Sequence, residues 1–288
     1  MRHSTYHVSL RPEACLACRV IAPPQFLFNV KGFPILRCPA CGLGWTVTPS
    51  EFDPASIYTR GYFQGEQSDG YADYQGSRAE LAAEFRRLLL DIATAGKTKG
   101  RLLEVGCAYG YFLDEASRSF EVSGIELAED AAVACQARGL DVVQYADESF
   151  YPRRGPFDLV VMLDVIEHLM DPGALLHDLY RHTRPNALLT ITTGDFGSFL
   201  SRIMRRQWRL MTPPQHLWYF TTDAISRLLT QYGFQVIQIT HPAKQVPLGL
   251  IAYQVARYFG LQHLVRGRLR GSISINLHDA MRVIARRS

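Results

Sequence analysis

From residue 77 onward the spacing of apolar side chains switches between two rhythms. Residues 77–93 place Leu81, Phe85, Leu88 and Leu89 on one side and Arg and Glu on the other, the 3.6-residue period of an amphipathic helix. Gly96 and Gly100 close it. Compact apolar runs then predict strands at 101–105, 121–125, 141–144, 157–163 and 188–192, with helices between them at 111–119, 128–138 and 175–183. A helix at 226–232, stopped by Gly233, precedes strands at 234–240 and 280–285, and 242–271 reads as one helical excursion. Regular alternation of strand and helix predicts an α/β layered sandwich. Strand interiors such as VSGI, FDLVVML and ALLTI are apolar without alternating, as in a parallel sheet covered on both faces.

The first 48 residues follow a different logic. Cys15-x-x-Cys18 and Cys38-x-x-Cys41 can each form a tight knuckle, and two knuckles complete the four-sulfur shell that zinc favours. Short strands at 26–30 and 33–36 around Lys31-Gly32 make the segment a zinc ribbon, with an iron–sulfur or redox role as the alternative. A closed Zn2+ site of this kind serves architecture, since it leaves no coordination position for substrate. Cys107 and Cys135 lie elsewhere and read as small buried apolar residues. Residues 49–76 are rich in Tyr and Gly and form either a packed connector or a flap over a ligand site. The expected division is therefore 1–48, 49–76 and 77–288, the last with substrate-facing insertions at about 196–220 and 242–271.

Charge changes this picture little. Lys and Arg number 31 against 27 Asp and Glu, a net +4, too small a bias to mark a nucleic-acid-binding protein. The opening Met1-Arg2-His3-Ser4 lacks the apolar run of a secretion signal, so the expected location is cytoplasmic. The longest apolar stretch, 246–256, is shorter than the roughly 20 residues of a spanning helix.

The first strand of the large domain ends in Glu104-Val105-Gly106-Cys107-Ala108-Tyr109-Gly110, where a following helix N-terminus can meet a ligand. Gly106 and Gly110 permit close backbone approach. Their Gly-x-x-x-Gly spacing departs from the dinucleotide fingerprint and suits an adenosine ligand without pyrophosphate. Glu126, ending the second strand, is placed to accept from both ribose hydroxyls, and Asp147, after the third, to accept from an adenine amino group or merely to cap a turn.

LLEVGCAYGYFL at 102–113, VSGIEL at 122–127, FDLVVMLDVIEHLMDP at 157–172 and PPQHLWYFTTDAISRLLTQYGF at 213–234 resemble the class I S-adenosylmethionine-dependent methyltransferases. With the cysteine pairs and the YTRGYFQG and YADY segments, the chain is similar to the branch carrying an N-terminal zinc ribbon, whose members methylate sugars, lipids or other small metabolites. The resemblance implies a Rossmann-like three-layer sandwich whose seven-stranded sheet is mostly parallel with an antiparallel last strand. It implies S-adenosyl-L-methionine as cofactor, held by Glu104, Gly106, Cys107, Gly110, Glu126, Leu127, Asp147 and Leu163. Glu104 and Gly106 would line its methionine portion and Leu163 its adenine face. Glu104 stands where many relatives have aspartate, which retains the charge.

Methyl transfer from a sulfonium is an in-line displacement, so the protein must align the acceptor and remove a proton if that acceptor is a hydroxyl. A neutral histidine is the natural base. His216, in a loop expected to face substrate, ranks ahead of His168, which follows strand four; Asp164 can approach the cofactor's ammonium or the substrate. Tyr62, Tyr71 and Tyr74 would close the pocket. Arg202, Arg206 and Trp208 sit in a basic and apolar stretch that forms either a lid meeting the phosphate of a sugar or lipid substrate or a solvated face. A similar mixture at 248–270 raises contact with a membrane surface. The expected reaction is O-methylation of a sugar, glycolipid precursor or natural-product intermediate. N- or C-methylation, RNA methylation and noncatalytic cofactor binding stay as alternatives. Low charge and the lack of an aromatic-and-basic module oppose RNA. The oligomeric state stays open.

Overall fold

The computed structural model describes residues 14–52, 78–147, 149–247 and 272–288. Its elements run β1 (Gln25–Val30), β2 (Phe33–Arg37), β3 (Gly44–Thr46), α1 (Arg78–Thr94), β4 (Gly100–Val105), α2 (Tyr111–Ala116), β5 (Phe120–Ile125), α3 (Glu129–Gln136), β6 (Val142–Val143), α4 (Phe150–Arg154) and β7 (Phe157–Leu163). Then come α5 (Pro172–His182), β8 (Thr183–Gly194), α6 (Phe199–Met204), β9 (Trp218–Tyr219), α7 (Thr222–Gln231), β10 (Phe234–Thr240), β11 (Lys244–Pro247), β12 (Ser272–Ile275) and β13 (Ala280–Arg287).

Seven strands make the main sheet in the order β10-β13-β8-β7-β4-β5-β6. Pairs β4–β5, β4–β7, β5–β6 and β7–β8 are parallel, while β13 runs antiparallel to both β8 and β10. The expected Rossmann-like sandwich is thus present. Alternate residues of each strand feed opposite cores: Leu103, Val160 and Ile191 pack with α5 and α7, while Leu102, Leu159 and Val161 pack with α1, α2 and α3. Double-sided burial is why these strands read as continuous apolar runs. Strand order reverses at β4, so the turn after β4 and the ends of β5 and β7 open onto one edge, the position where α/β sheets bind ligands.

A second sheet has the order β1-β2-β3-β9. Its first three strands come from the N-terminal segment, but the fourth is Trp218-Tyr219 from the large domain, with Gly44 opposite Tyr219 and Trp45 opposite Trp218. Cys15, Ala17, Cys38, Cys41 and Leu43 share one apolar core with Phe220, Ile225, Leu228 and Leu229. The N-terminal segment is therefore packed into the large domain rather than strung before it. It touches α7 at both ends: Thr221, whose hydroxyl caps the helix at Ala224 N–H, also donates to the Cys41 carbonyl, and Arg19 donates to Gln231 and to the Tyr232 hydroxyl.

Three expectations need correction. Residues 242–271 do not form one helical excursion, because Lys244–Pro247 pairs antiparallel with Ser272–Ile275; what lies between falls outside the described residues. The basic and apolar stretch expected to carry Trp208 to a lid or a solvated face forms only the short α6 and a 3-10 turn at Arg205–Gln207, after which Trp208 is buried. β8 starts five residues earlier than its apolar run, since Thr183 pairs with Phe157 across a register shift.

Candidate cofactor and acceptor site

Two turns meet where the sheet reverses. Leaving β4, the chain takes left-handed backbone at Gly106 (φ 71), Ala108 (φ 46) and Gly110 (φ 70) before entering α2. Glu126, at the end of β5, reaches into that turn: Oε2 accepts from Ala108 N–H at 2.7 Å and Oε1 from Ala128 N–H at 2.8 Å. One carboxylate thus fixes the turn after β4 and the start of α3. Burial raises its pKa, opposed by the two N–H bonds. One turn back, Glu104 is only 3 % exposed, its pKa is raised well above the ordinary carboxylate value by burial, and Oε2 has no hydrogen-bond partner among the described residues.

The glycines also serve the protein's own packing. A Cβ at Gly106 would lie 2.5 Å from Val165 Cγ2, and one at Gly110 would lie 2.7 Å from Leu140 and 2.9 Å from Cys135 Sγ. Their missing side chains make room for the protein's own packing, in backbone that favours glycine. Cys107 is buried in the α2–α3 core. Leu127 gives its carbonyl to Gln144 Nε2, and Leu163 is half-buried at the end of β7. Asp147 is exposed, and its Oδ1 accepts from Ser149 N–H and Oγ–H, bonds that lower its pKa; this is the turn-capping geometry.

Beyond β7 lies the side expected to face an acceptor. Asp164 has φ 55, and its Oδ1 accepts from the Thr192 hydroxyl at 2.9 Å. The 3-10 turn Ile166–His168 brings the His168 ring to 4.7 Å from that of His216, edge to face. His168 Nδ1 lies 2.9 Å from the Gln215 carbonyl, which can only accept, so Nδ1 carries the hydrogen and Nε2 the lone pair. Burial lowers the pKa of both rings, that of His216 to about 3 with the neighbouring His168 as the next cause. Both are neutral near pH 7. The His216 loop is held from the N-terminal sheet: Thr46 Oγ1 donates to the His216 carbonyl at 2.7 Å, and Leu217 N–H donates to the Glu167 carbonyl at 2.8 Å. Glu167, His168 and His216 bring one ligand atom each within 4.8 Å of one another.

The remaining predicted residues separate. Arg202 and Arg206 are exposed. Trp208, expected at the substrate, is instead buried against Ile35, Met211 and Tyr219, and its indole N–H donates to Asp279 at 2.9 Å. An indole in a core needs such an acceptor, and the sequence does not show Asp279 approaching from 71 residues away. Tyr62, Tyr71 and Tyr74 lie outside the described residues. The structure adds a pair that sequence reasoning missed: His241 Nε2 sits 2.9 Å from Asp195 Oδ2, joining the ends of β10 and β8. No local motif links two residues 46 apart.

The four N-terminal cysteines converge. Sγ of Cys15 and Cys41 are 3.6 Å apart, those of Cys18 and Cys38 3.7 Å, and all four lie within 4.8 Å of one another. The two knuckles match: the residue after each second cysteine, Arg19 (φ 59) or Gly42 (φ 75), donates its N–H to the first cysteine's carbonyl.

A family profile described as "Methyltransferase domain" matches residues 74–239, more than half of the chain. The chain belongs to this methyltransferase family. A crystal structure of a SAM-dependent methyltransferase from Archaeoglobus fulgidus superimposes with a TM-score of 0.51 at 20 % identity, covering 78 % of this chain and 98 % of that one. Fold and strand order are those of the class I S-adenosylmethionine-dependent methyltransferases. A ubiquinone biosynthesis O-methyltransferase of Caulobacter vibrioides is 31 % identical over 100 residues, 32 % of this chain and 40 % of that protein. The protein of the same description from Dinoroseobacter shibae is 27 % identical over 172 residues, 55 % and 68 % of the two chains. This methyltransferase chain thus spans only 40 % of the length of the Caulobacter relative that it matches.

The chain's own residues suit the S-adenosylmethionine of its family. Glu104 offers a buried acceptor oxygen that no described protein group uses, which is what a ligand bearing an ammonium requires. The cysteine cluster suits zinc, because Zn–S bonds of about 2.3 Å in a tetrahedron separate the sulfurs by about 3.8 Å. Among the described residues no helix is long and apolar enough to cross a membrane.

Proposed function

We propose that this chain transfers a methyl group from S-adenosylmethionine to a hydroxyl of a small metabolite. The observation that carries the reading is the pair of buried carboxylates at the reversal of the sheet. Glu126 holds two turns in place and would accept from the cofactor's ribose, while Glu104 keeps a desolvated oxygen for its ammonium. When bound, the cofactor supplies an electrophilic methyl group, and the chain's task is to orient the acceptor and hold its proton.

Two neutral imidazoles on the acceptor side favour oxygen over an amine, which needs less base assistance. The Caulobacter and Dinoroseobacter relatives are themselves named as O-methyltransferases. His168 is assigned the proton, with Nε2 as its lone-pair nitrogen and Asp164 as the nearby carboxylate that favours the charged ring. His216 becomes a positioning residue, since burial and His168 both oppose its protonation. The exposed Arg202 and Arg206 suit a phosphate-bearing sugar or a lipid-linked acceptor. The cysteine cluster holds a structural zinc ion through Cys15, Cys18, Cys38 and Cys41.

Incubation of the purified chain with methyl-labelled cofactor and fractionated cell extract tests the reading. Label is expected in a base-stable, hydroxyl-derived ether of a small molecule. Label confined to RNA or protein, or cofactor binding without any transfer, would reject it.

A further inference from the structure

The segment after β8 presents an apolar surface, Phe199, Ile203 and Met204, to which the proposed site assigns no role. Helix α6 is turned inside out. Ser201 is 3 % exposed, with its hydroxyl near the Phe196 and Ser198 carbonyls, whereas Phe199 is 79 % and Ile203 59 % exposed. Phe199 and Ile203 are four residues apart and so share one face, opposite Ser201. An ordinary surface helix buries its apolar face and shows its polar one. Met204, the next residue, is exposed as well.

Charge along this segment has a single sign. Residues 196–216 contain Arg202, Arg205, Arg206 and Arg209 and no Asp or Glu. Arg209 is committed to a two-bond pairing with Asp279. Arg202, Arg205 and Arg206 are exposed, and none pairs with a carboxylate among the described residues.

We propose that α6 and the turn after it dock on a membrane surface rich in anionic lipid. Phe199, Ile203 and Met204 enter the boundary between headgroups and acyl chains, and the exposed guanidinium groups of Arg202, Arg205 and Arg206 meet lipid phosphates. Aliphatic insertion with a basic rim is the chemistry of an interfacial helix. Nucleic acid fits less well, because of the three exposed residues only Phe199 offers a flat face on which a base can stack, whereas single-strand binding uses a series of them. Since α6 begins five residues beyond Gly194, at the sheet edge shared with Gly106 and Asp164, docking there turns the ligand edge toward the bilayer. This proposal does not depend on methyl transfer.

Cosedimentation of the full chain with vesicles tests it, comparing phosphatidylcholine alone with phosphatidylcholine containing phosphatidylglycerol. Binding is expected only with the anionic vesicles and should weaken as salt is raised, by screening. Arg206→Gln should lower the partition coefficient about fivefold, as for one basic residue lost from an anionic surface. The double variant Phe199→Ser/Ile203→Ser should lose at least tenfold while its melting temperature and S-adenosylmethionine affinity stay unchanged. Equal binding to both vesicle types, or a double variant that binds as the wild type does, would overturn the proposal. So would a concentration-dependent dimer that the double variant abolishes, which would give the face to a second copy of the chain.

Discussion

Glu126 carries more structure than the ribose contact proposed for it requires, because both of its oxygens accept from backbone N–H groups of different turns. Glu126→Ala should therefore weaken S-adenosylmethionine binding roughly 10- to 100-fold, the equivalent of losing about 1.5–3 kcal/mol of charge-assisted hydrogen bonding. Titration calorimetry measures it, and unchanged affinity would remove Glu126 from the ligand site. Glu104 predicts the opposite effect on the empty protein. A carboxyl whose folded pKa is raised contributes stability below its unfolded pKa of about 4.3, and that contribution is lost as pH rises through the folded value. Glu104→Gln should thus raise the melting temperature of the cofactor-free chain at pH 7, by roughly 2–4 °C for each kcal/mol relieved, with the gain vanishing toward pH 4. The same variant should bind cofactor less tightly. For His168 the sign is that of a base whose pKa is lowered. Neutral imidazole persists to lower pH, so the acidic limb of the kcat/KM profile should fall below pH 6.5, and a limb above it would assign the proton elsewhere.

At the scale of elements, the parallel strands were legible because burial on both faces leaves nothing but apolar side chains between their turns. Residues 159–163, five apolar side chains in a row, carry that signature and match the body of β7, whereas β10 is an antiparallel edge strand whose Gln235 and Gln238 face out. The reading failed where structure depends on distant partners. β3 and β9 have three and two residues, too few for any period, and Thr46 meets the His216 loop across 170 positions of sequence. Trp208 looked like a ligand contact because the chain alone cannot show Asp279 beneath it. The cysteine spacing, by contrast, gave the cluster directly, since four thiols on two knuckles have few other ways to meet. Metal analysis should find one zinc ion per chain, and Cys38→Ser should release it. Tryptophan emission should shift on release, because Trp45 and Trp218 face each other across β3 and β9. A metal-free wild type, or a variant with unaltered emission, would separate the cysteines from this sheet.

At the scale of the molecule, the two larger sheets of the described residues are packed together, with cysteines of the first 41 residues and the helix at 222–231 sharing a core. A fragment starting at Arg78 would keep every strand of the main sheet yet bare the apolar side of α7 that Cys41 and Leu43 cover. Such a fragment should melt at least about 5 °C below the full chain, as a loss of about 2 kcal/mol produces in a domain of this size, and scanning calorimetry would show it. Equal melting temperatures would make the first 52 residues an appendage. The junction of Trp45 with Trp218 then has a bearing on ancestry and engineering alike. Where one strand of a foreign-looking hairpin is stitched to the loop that seats the histidines, the two halves cannot be swapped among relatives as interchangeable parts, and any change in the first must be matched by one in the second.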